Sequence, residues 1–244
     1  MTRRIAMWSG PRNISTAMMR SFSSRSDTAV SDEPFYGAYL QHTGDPQPMS
    51  ETVIADMDCD WHSVAAACRG PVPGGKPVWY QKQMAHHMVG PVGIDDLPGL
   101  THAFLIRDPR RVVASYAEKR DGVRPEHLGI NRQRNDFARL ADWTGRAPPV
   151  IDGADVLRDP EGTLERLCAA LEIDWDPAML RWPAGRHPED GIWASHWYDR
   201  VEASTGFDVA EQGPLPDLPP DLAQVAADCM DAYRDLSAHA LRPD

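Results

Sequence analysis

Two short stretches combine residue types that can hold an anion. Ser9-Gly10-Pro11-Arg12-Asn13-Ile14-Ser15-Thr16 follows the apolar run Ile5-Ala6-Met7-Trp8 and leads into Ile14 to Phe22, where Met18, Met19 and Phe22 recur at helical spacing. Strand, loop and helix in that order point backbone N–H groups and a helix N-terminus at one spot, with Arg12 adding charge and Ser15 and Thr16 adding hydroxyls. A Walker A loop would need G-x-x-x-x-G-K-S/T; the second glycine and the lysine are both missing, so ordinary ATP or GTP hydrolysis is not supported. Standing alone, the loop reads equally well as a polar turn with a good helix cap.

The second stretch gives the loop a partner. Leu105-Ile106-Arg107-Asp108-Pro109 sets an arginine at the end of another apolar run, and Ser115 lies eight residues later, about two helical turns on. Arg107 and Ser115 can then reach one phosphate, the arginine by a charge-assisted contact and the serine by its hydroxyl. Asp108-Pro109 is an N-cap followed by proline at the first helical position, and Val112, Val113 and Tyr116 give the following helix an apolar side.

These loops need a scaffold of strands ending near one another. Pro77 to Lys82, after the Pro73-Gly74-Gly75 turn, and Ala103 to Ile106 read as buried parallel strands with helices following, and Val150-Ile151 as a further strand. Residues 41–50 read as a surface loop, Thr52 to Cys68 as a helix with Val53, Met57, Trp61 and Val64 on one face, and Pro160 to Leu171 as a helix seamed by Leu164, Leu167 and Leu171. Trp175 to Pro220 shows no sustained period, and Leu222 to Leu236 closes as a helix. The alternation predicts an α/β fold with a mainly parallel central sheet flanked by helices, its ligand crevice at the strands' C-terminal ends. With no repeat and no linker, residues 1–244 are expected to form a single domain.

Composition narrows the partners. A formal charge of −11 argues against general nucleic-acid binding, so any anion site must be local, and a 42% hydrophobic content supports a substantial core. Cys59, Cys68, Cys168 and Cys229 are scattered, which fits reduced thiols in a cytoplasm. The N-terminal apolar run is too short for a signal peptide, and no stretch has the length of an integral membrane segment. No metal is expected, since neither H-E-x-x-H nor an acidic cluster occurs.

The chain resembles the PAPS-dependent sulfotransferases (PAPS, 3′-phosphoadenosine 5′-phosphosulfate). Their early loop, of P-R-S-G-S/T-S/T or P-K-S-G-T-T type, is matched by Pro11-Arg12-Asn13-Ile14-Ser15-Thr16 at four of six positions. Their R-D/N-P element, with serine eight residues after the arginine, is matched by Arg107-Asp108-Pro109 and Ser115. The segment R-K-G-x-x-G-D-W-K-N-H-F resembles Arg186 to Trp197, which keeps the Arg, Gly, Trp and His spacing, and Val150 to Glu161 resembles the family's strand and D-P-E passage. The resemblance implies a three-layer P-loop-NTPase-like fold. It assigns the 5′-phosphosulfate to Arg12, Asn13, Ile14, Ser15 and Thr16, and the 3′-phosphate to Arg107, Ser115 and Arg186. Asn13-Ile14 stands where Ser-Gly is usual; an isoleucine is not expected to take the positive φ open to glycine, so the loop is expected to keep an ordinary backbone or to bind less tightly. His187-Pro188 replaces Lys-Gly.

The resemblance also implies a lysine on a strand followed two residues later by a catalytic histidine. Lys82 fits the lysine and, with Arg12, an electrostatic role, but the second position is Met84, whose thioether is no base. Glu33, His86 and His87 remain as alternative bases, beside catalysis with no protein base. Phe35, Tyr36, Tyr39, Trp61, Trp193, Trp197 and Tyr198 can wall an acceptor pocket or simply fill core. The implied reaction moves a sulfuryl group from PAPS to a hydroxyl or amine of a small molecule or glycan. A P-loop-like small-molecule kinase and a non-catalytic nucleotide-binding module are the rivals.

Overall fold

The computed structural model describes residues 2–208 and 213–242. Five strands, β1 (Arg3–Ser9), β2 (Thr28–Asp32), β3 (Val78–Met84), β4 (Thr101–Ile106) and β5 (Val150–Asp152), form one all-parallel sheet in the order β2-β3-β1-β4-β5. Four are the apolar runs of the sequence: Ile5 to Trp8, Ala103 to Ile106 and Val150-Ile151 are buried, as is every residue of β3. That is the pattern of strands covered on both faces. Strand order reverses at β1, so the loop leaving its C-terminal end stands where open α/β sheets place their ligands.

Twelve α-helices connect or flank these strands among the described residues. The first four are α1 (Ser15–Ser23), α2 (Tyr36–Thr43), α3 (Ser50–Asp56) and α4 (Trp61–Arg69). They are followed by α5 (Pro109–Ala117), α6 (Pro125–Leu128), α7 (Ile130–Thr144), α8 (Gly153–Arg158) and α9 (Pro160–Ala170). The last three are α10 (Ala194–Trp197), α11 (Asp199–Glu202) and α12 (Pro220–Ser237).

Several sequence expectations need correction. Thr52 to Cys68 is not one helix: the chain is extended at Met57, and Asp60 accepts a hydrogen bond from Ser63 N to start α4 afresh. The stretch expected as a loop over 41–50 begins inside α2, which ends at Gly44 in the left-handed region. β3 is followed by single 3-10 turns at Ala85–His87 and Ile94–Asp96 rather than by an α-helix. The aperiodic passage after Trp175 holds only short helical turns, and residues 209–212 of it lie outside the described residues.

The chain divides into two compact units of discontinuous segments. One comprises the residues up to Met7, Thr16–Thr101 and Ala178–Gly206; the other comprises Trp8–Ser15, His102–Pro177 and the chain from Phe207 onward. In the first unit the register sets Thr28 beside Val78 and Asp32 beside Lys82. In the second, Phe104 lies beside Val150 and Ile106 beside Asp152, while α12 packs on α5 and α7.

Candidate active site

In the second unit, residues Ser9 to Ser15 of the loop fold as a strained cradle. Arg12 and Ile14 both sit at positive φ, 60° and 57°, while Asn13 between them does not. Alternation of this kind turns successive backbone N–H groups toward one side, the geometry of an anion nest, and α1 begins at Ser15. The expectation that isoleucine excludes positive φ is therefore overturned. A β-branched residue pays about 1–2 kcal/mol for that conformation, and persists there only where its surroundings fix it.

Those surroundings are visible. Asn13 donates its side-chain amide to the Leu105 carbonyl at 3.3 Å. Gln133 of α7, fully buried, orients its amide oxygen 3.2 Å from Gly10 N and its nitrogen 3.3 Å from the carbonyls of Trp8 and Leu105. Gly10 has no room for a side chain, because an added Cβ would lie 2.1 Å from the Leu128 carbonyl oxygen. Ile14 rests above Gly153, where a Cβ would stand 3.4 Å from its Cγ1. The Asn13 Oδ1 is buried without a partner, an acceptor that costs free energy while it stays unmatched.

Arg107 and Ser115, expected to share one phosphate, are brought together through Arg12, the charged residue of the loop. Arg12 Nε donates to Ser115 Oγ at 2.9 Å, and Arg107 donates from a terminal nitrogen to the Arg12 carbonyl at 2.8 Å. Asp108 caps α5 by accepting from Arg110 N at 2.8 Å, with Pro109 at the first turn, and this fixes the rotation of the helix that carries Ser115.

The first unit holds a different constellation, built on the edge pairing of β2 and β3. Lys82 is buried, and its ammonium donates to Asp32 Oδ1 at 2.8 Å, to Glu33 Oε1 at 2.7 Å and to the Tyr198 hydroxyl. Tyr198 in turn donates to Asp32 Oδ2 at 2.7 Å, and the Gly191 amide donates to the same oxygen at 3.1 Å. Glu33 itself sits at φ 44°, its backbone N–H bonded to the Lys82 carbonyl at 3.0 Å. Burial pushes the Glu33 carboxyl upward; the Lys82 charge opposes this and Asp32 adds to it. Burial alone would lower the Lys82 ammonium, but the carboxylates of Asp32 and Glu33 together hold it well above its ordinary value. The two directions agree physically: one cation serves two carboxylates, so the cation is over-stabilised and one acid is left short of compensation.

His87 Nε2 lies 3.9 Å from Glu33 Oε2, its ring stacked on Tyr36 and Tyr39. Desolvation, then the neighbouring charges of His86 and Lys82, hold His87 neutral. His86 packs edge-on against Tyr39 and His87. Tyr36, Tyr39 and Trp193 are buried against this group and one another, so these aromatics act first as core.

The Arg186 to Trp197 segment is pinned by residues the sequence did not single out. Asp190 forms a buried 2.5 Å ion pair with Arg20 of α1 and accepts from His187 N at 2.8 Å, while Gly191 and Tyr198 reach Asp32. Arg186 is exposed and belongs to the first unit, whereas Arg107 and Ser115 belong to the second. Gln133, Asp32 and the Arg20–Asp190 pair were missed and Tyr198 was named only as an aromatic wall; burial of their polar groups is their one shared feature.

Residues 3–240 match the family described as Sulfotransferase domain. Among curated proteins, the branched-chain-amino-acid aminotransferase-like proteins 2 and 1 of Arabidopsis thaliana are 34% identical over 238 residues and 36% identical over 214. The matches cover 96% and 86% of this chain but 41% and 37% of those proteins, so the chain spans about two fifths of their length. Two solved structures share the fold. The sulfotransferase domain from the curacin biosynthetic pathway has TM-score 0.56 and 14% identity, covering 94% of this chain and 98% of its own. The sulfotransferase from Alicyclobacillus acidocaldarius has TM-score 0.57 and 13% identity, covering 100% and 98%. With a parallel sheet of the expected class and a family match across nearly its whole length, the chain belongs to the sulfotransferase-domain family.

Proposed function

We propose that the protein is a PAPS-dependent sulfotransferase working as one domain over residues 1–244, acting on a hydroxyl or amine of a small molecule or glycan. The observation that carries this reading is the convergence of Arg12, Arg107 and Ser115 on a loop whose φ signs alternate. Arg12 and Arg107 donate to neutral oxygens that phosphate oxygens can replace, and charge-assisted contacts to phosphate are the stronger ones. The loop N–H groups, Asn13, Ile14, Ser15 and Thr16, serve the 5′-phosphosulfate; Arg107 and Ser115 serve the 3′-phosphate.

In the reaction, the acceptor's oxygen or nitrogen bonds to sulfur as the bond from sulfur to the 5′-phosphate oxygen breaks, leaving 3′,5′-ADP. Charge develops on that phosphate, where Arg12 and the loop N–H groups are already arranged to meet it. The acceptor's proton goes to Glu33, whose raised proton affinity moves it toward the range useful to a base at neutral pH. Lys82 orients Glu33. His87 stands 3.9 Å from it with His86 packed against His87, and the neutral His87 is the alternative acceptor of the proton. No step calls for a metal, and a cytoplasmic location fits four free thiols.

Thermal unfolding with added 3′,5′-ADP tests the donor assignment. Nucleotide at a hundred times its Kd adds about 2.7 kcal/mol to the free energy of unfolding. The expected result is a clear rise in Tm with 3′,5′-ADP and little with magnesium-ATP. The reverse order would indicate a small-molecule kinase. Binding of 3′,5′-ADP with no sulfate transfer from PAPS to any of a broad acceptor panel would indicate a binding module.

A further inference from the structure

Asp32 belongs to no motif, yet it is the better-satisfied of the two carboxylates in the buried cluster of the first unit. Its two oxygens accept from Lys82, from the Tyr198 hydroxyl and from the Gly191 amide. The Glu33 carboxylate accepts from Lys82 and has His87 at 3.9 Å. Where two carboxylates share one ammonium out of water, the one with fewer donors is the one that takes a proton. The groups facing Glu33 are Lys82 from β3, Asp32 from β2, His87 with His86 beside it from the turn after β3, and Tyr198 from the end of α10. Of these, Asp32 is the anion that competes with Glu33 for Lys82, and the β2–β3 register fixes it there.

We propose that Asp32 is a positioning residue for Glu33: held by Lys82, Tyr198 and Gly191, it takes up part of the ammonium that Glu33 shares and leaves Glu33 as the carboxylate of the pair that exchanges a proton. The left-handed backbone at Glu33 serves the same end, because it turns the side chain of the next residue along the strand onto the ammonium its neighbour already holds. This inference rests on Glu33 being the base of the proposed transfer.

The test reads Glu33 directly. The full chain is labelled with 13C at the glutamate side-chain carboxyl, the Glu33 resonance is identified by its loss in Glu33→Gln, and its pH titration is followed in the wild type and in Asp32→Asn. Removing the competing anion gives Glu33 the whole attraction of Lys82. The titration midpoint should fall by about one pH unit or more, a tenfold change in proton affinity. An unchanged or raised midpoint would overturn the proposal, because a role confined to packing does not move it. Tyr198→Phe gives an independent reading should Asp32→Asn fail to fold. It removes a donor from Asp32, which then competes for the proton, and frees Lys82 of one acceptor, so the Glu33 midpoint should fall by a smaller amount, and no fall would count against the proposal. Binding of 3′,5′-ADP is measured separately on the wild type. Its absence would remove the donor reading while leaving the titration result intact, whereas binding without a midpoint shift would remove only the role of Asp32.

Discussion

The loop from Ser9 to Thr16 and the cluster around Lys82 both hold residues in backbone conformations that side chains avoid, but they place their charge in opposite ways. In the loop, Arg12 donates to a hydroxyl and Arg107 to a carbonyl, neutral acceptors that an arriving anion can replace. In the cluster, Lys82 already meets two carboxylates, and what remains to be settled is a proton. The first arrangement leaves arginine charge on neutral partners, as the proposed donor site requires; the second holds one buried cation between two carboxylates, as the proposed base requires, and Arg12, Ile14 and Glu33 all sit at positive φ.

Substitutions can separate these two designs. The largest effect is expected from Lys82→Met, which strands Asp32 and Glu33 as buried carboxylates without their cation. Breaking a buried pair in this way costs about 3–5 kcal/mol. Denaturant unfolding at neutral pH should show that loss, and the loss should shrink in acid as the carboxyls protonate. In the loop, Gln133→Leu removes the side-chain partner of the Gly10 amide and of the Trp8 and Leu105 carbonyls, and should cost about 1–3 kcal/mol while weakening 3′,5′-ADP binding. A variant with unchanged affinity would show that Gln133 does not shape the cradle.

Glu33→Gln should act through pH. The folded protein binds the Glu33 proton more tightly than the unfolded chain does, so its contribution to stability is present below 4.5 and is lost as pH rises through the raised folded value. Urea midpoints of Glu33→Gln should therefore fall less steeply above that point than those of the wild type. Parallel curves would contradict the assignment of the proton to Glu33. The smallest effect concerns backbone alone. Ile14→Gly and Ile14→Ala lose similar packing, so their difference isolates φ, and glycine should be the more stable by about 1 kcal/mol, against its usual ranking.

The contrast also explains what the sequence could reveal. The loop is contiguous, and Arg107 and Ser115 are tied to one helix, α5, so spacing along the chain reports their positions in space. β1, β3, β4 and β5 were legible because buried parallel strands are written as apolar runs. β2 was not, since Thr28–Asp32 is an edge strand with Ala29 and Val30 as its apolar residues, and pairing with β3 rather than pattern defines it. The break between α3 and α4 was hidden because the apolar spacing from Val53 to Val64 runs through it while Asp60 caps a new helix. The cluster escaped for a different reason. Asp32, Lys82 and Tyr198 are far apart in the chain, and only the parallel register and the Arg20–Asp190 anchor bring them together. Glu33 and Lys82 were identified through resemblance and position, while their competition for one ammonium was not visible until the fold placed Asp32 beside them.

The central claim, that the second unit carries a site for a 3′-phosphorylated nucleotide, is tested most directly by calorimetric titration of the wild type and Arg107→Ala with 3′,5′-ADP and with 5′-AMP. Loss of a charge-assisted contact to the 3′-phosphate should weaken 3′,5′-ADP by about tenfold or more and leave 5′-AMP nearly unchanged. Equal losses for the two nucleotides, or no binding of 3′,5′-ADP to the wild type, would contradict it.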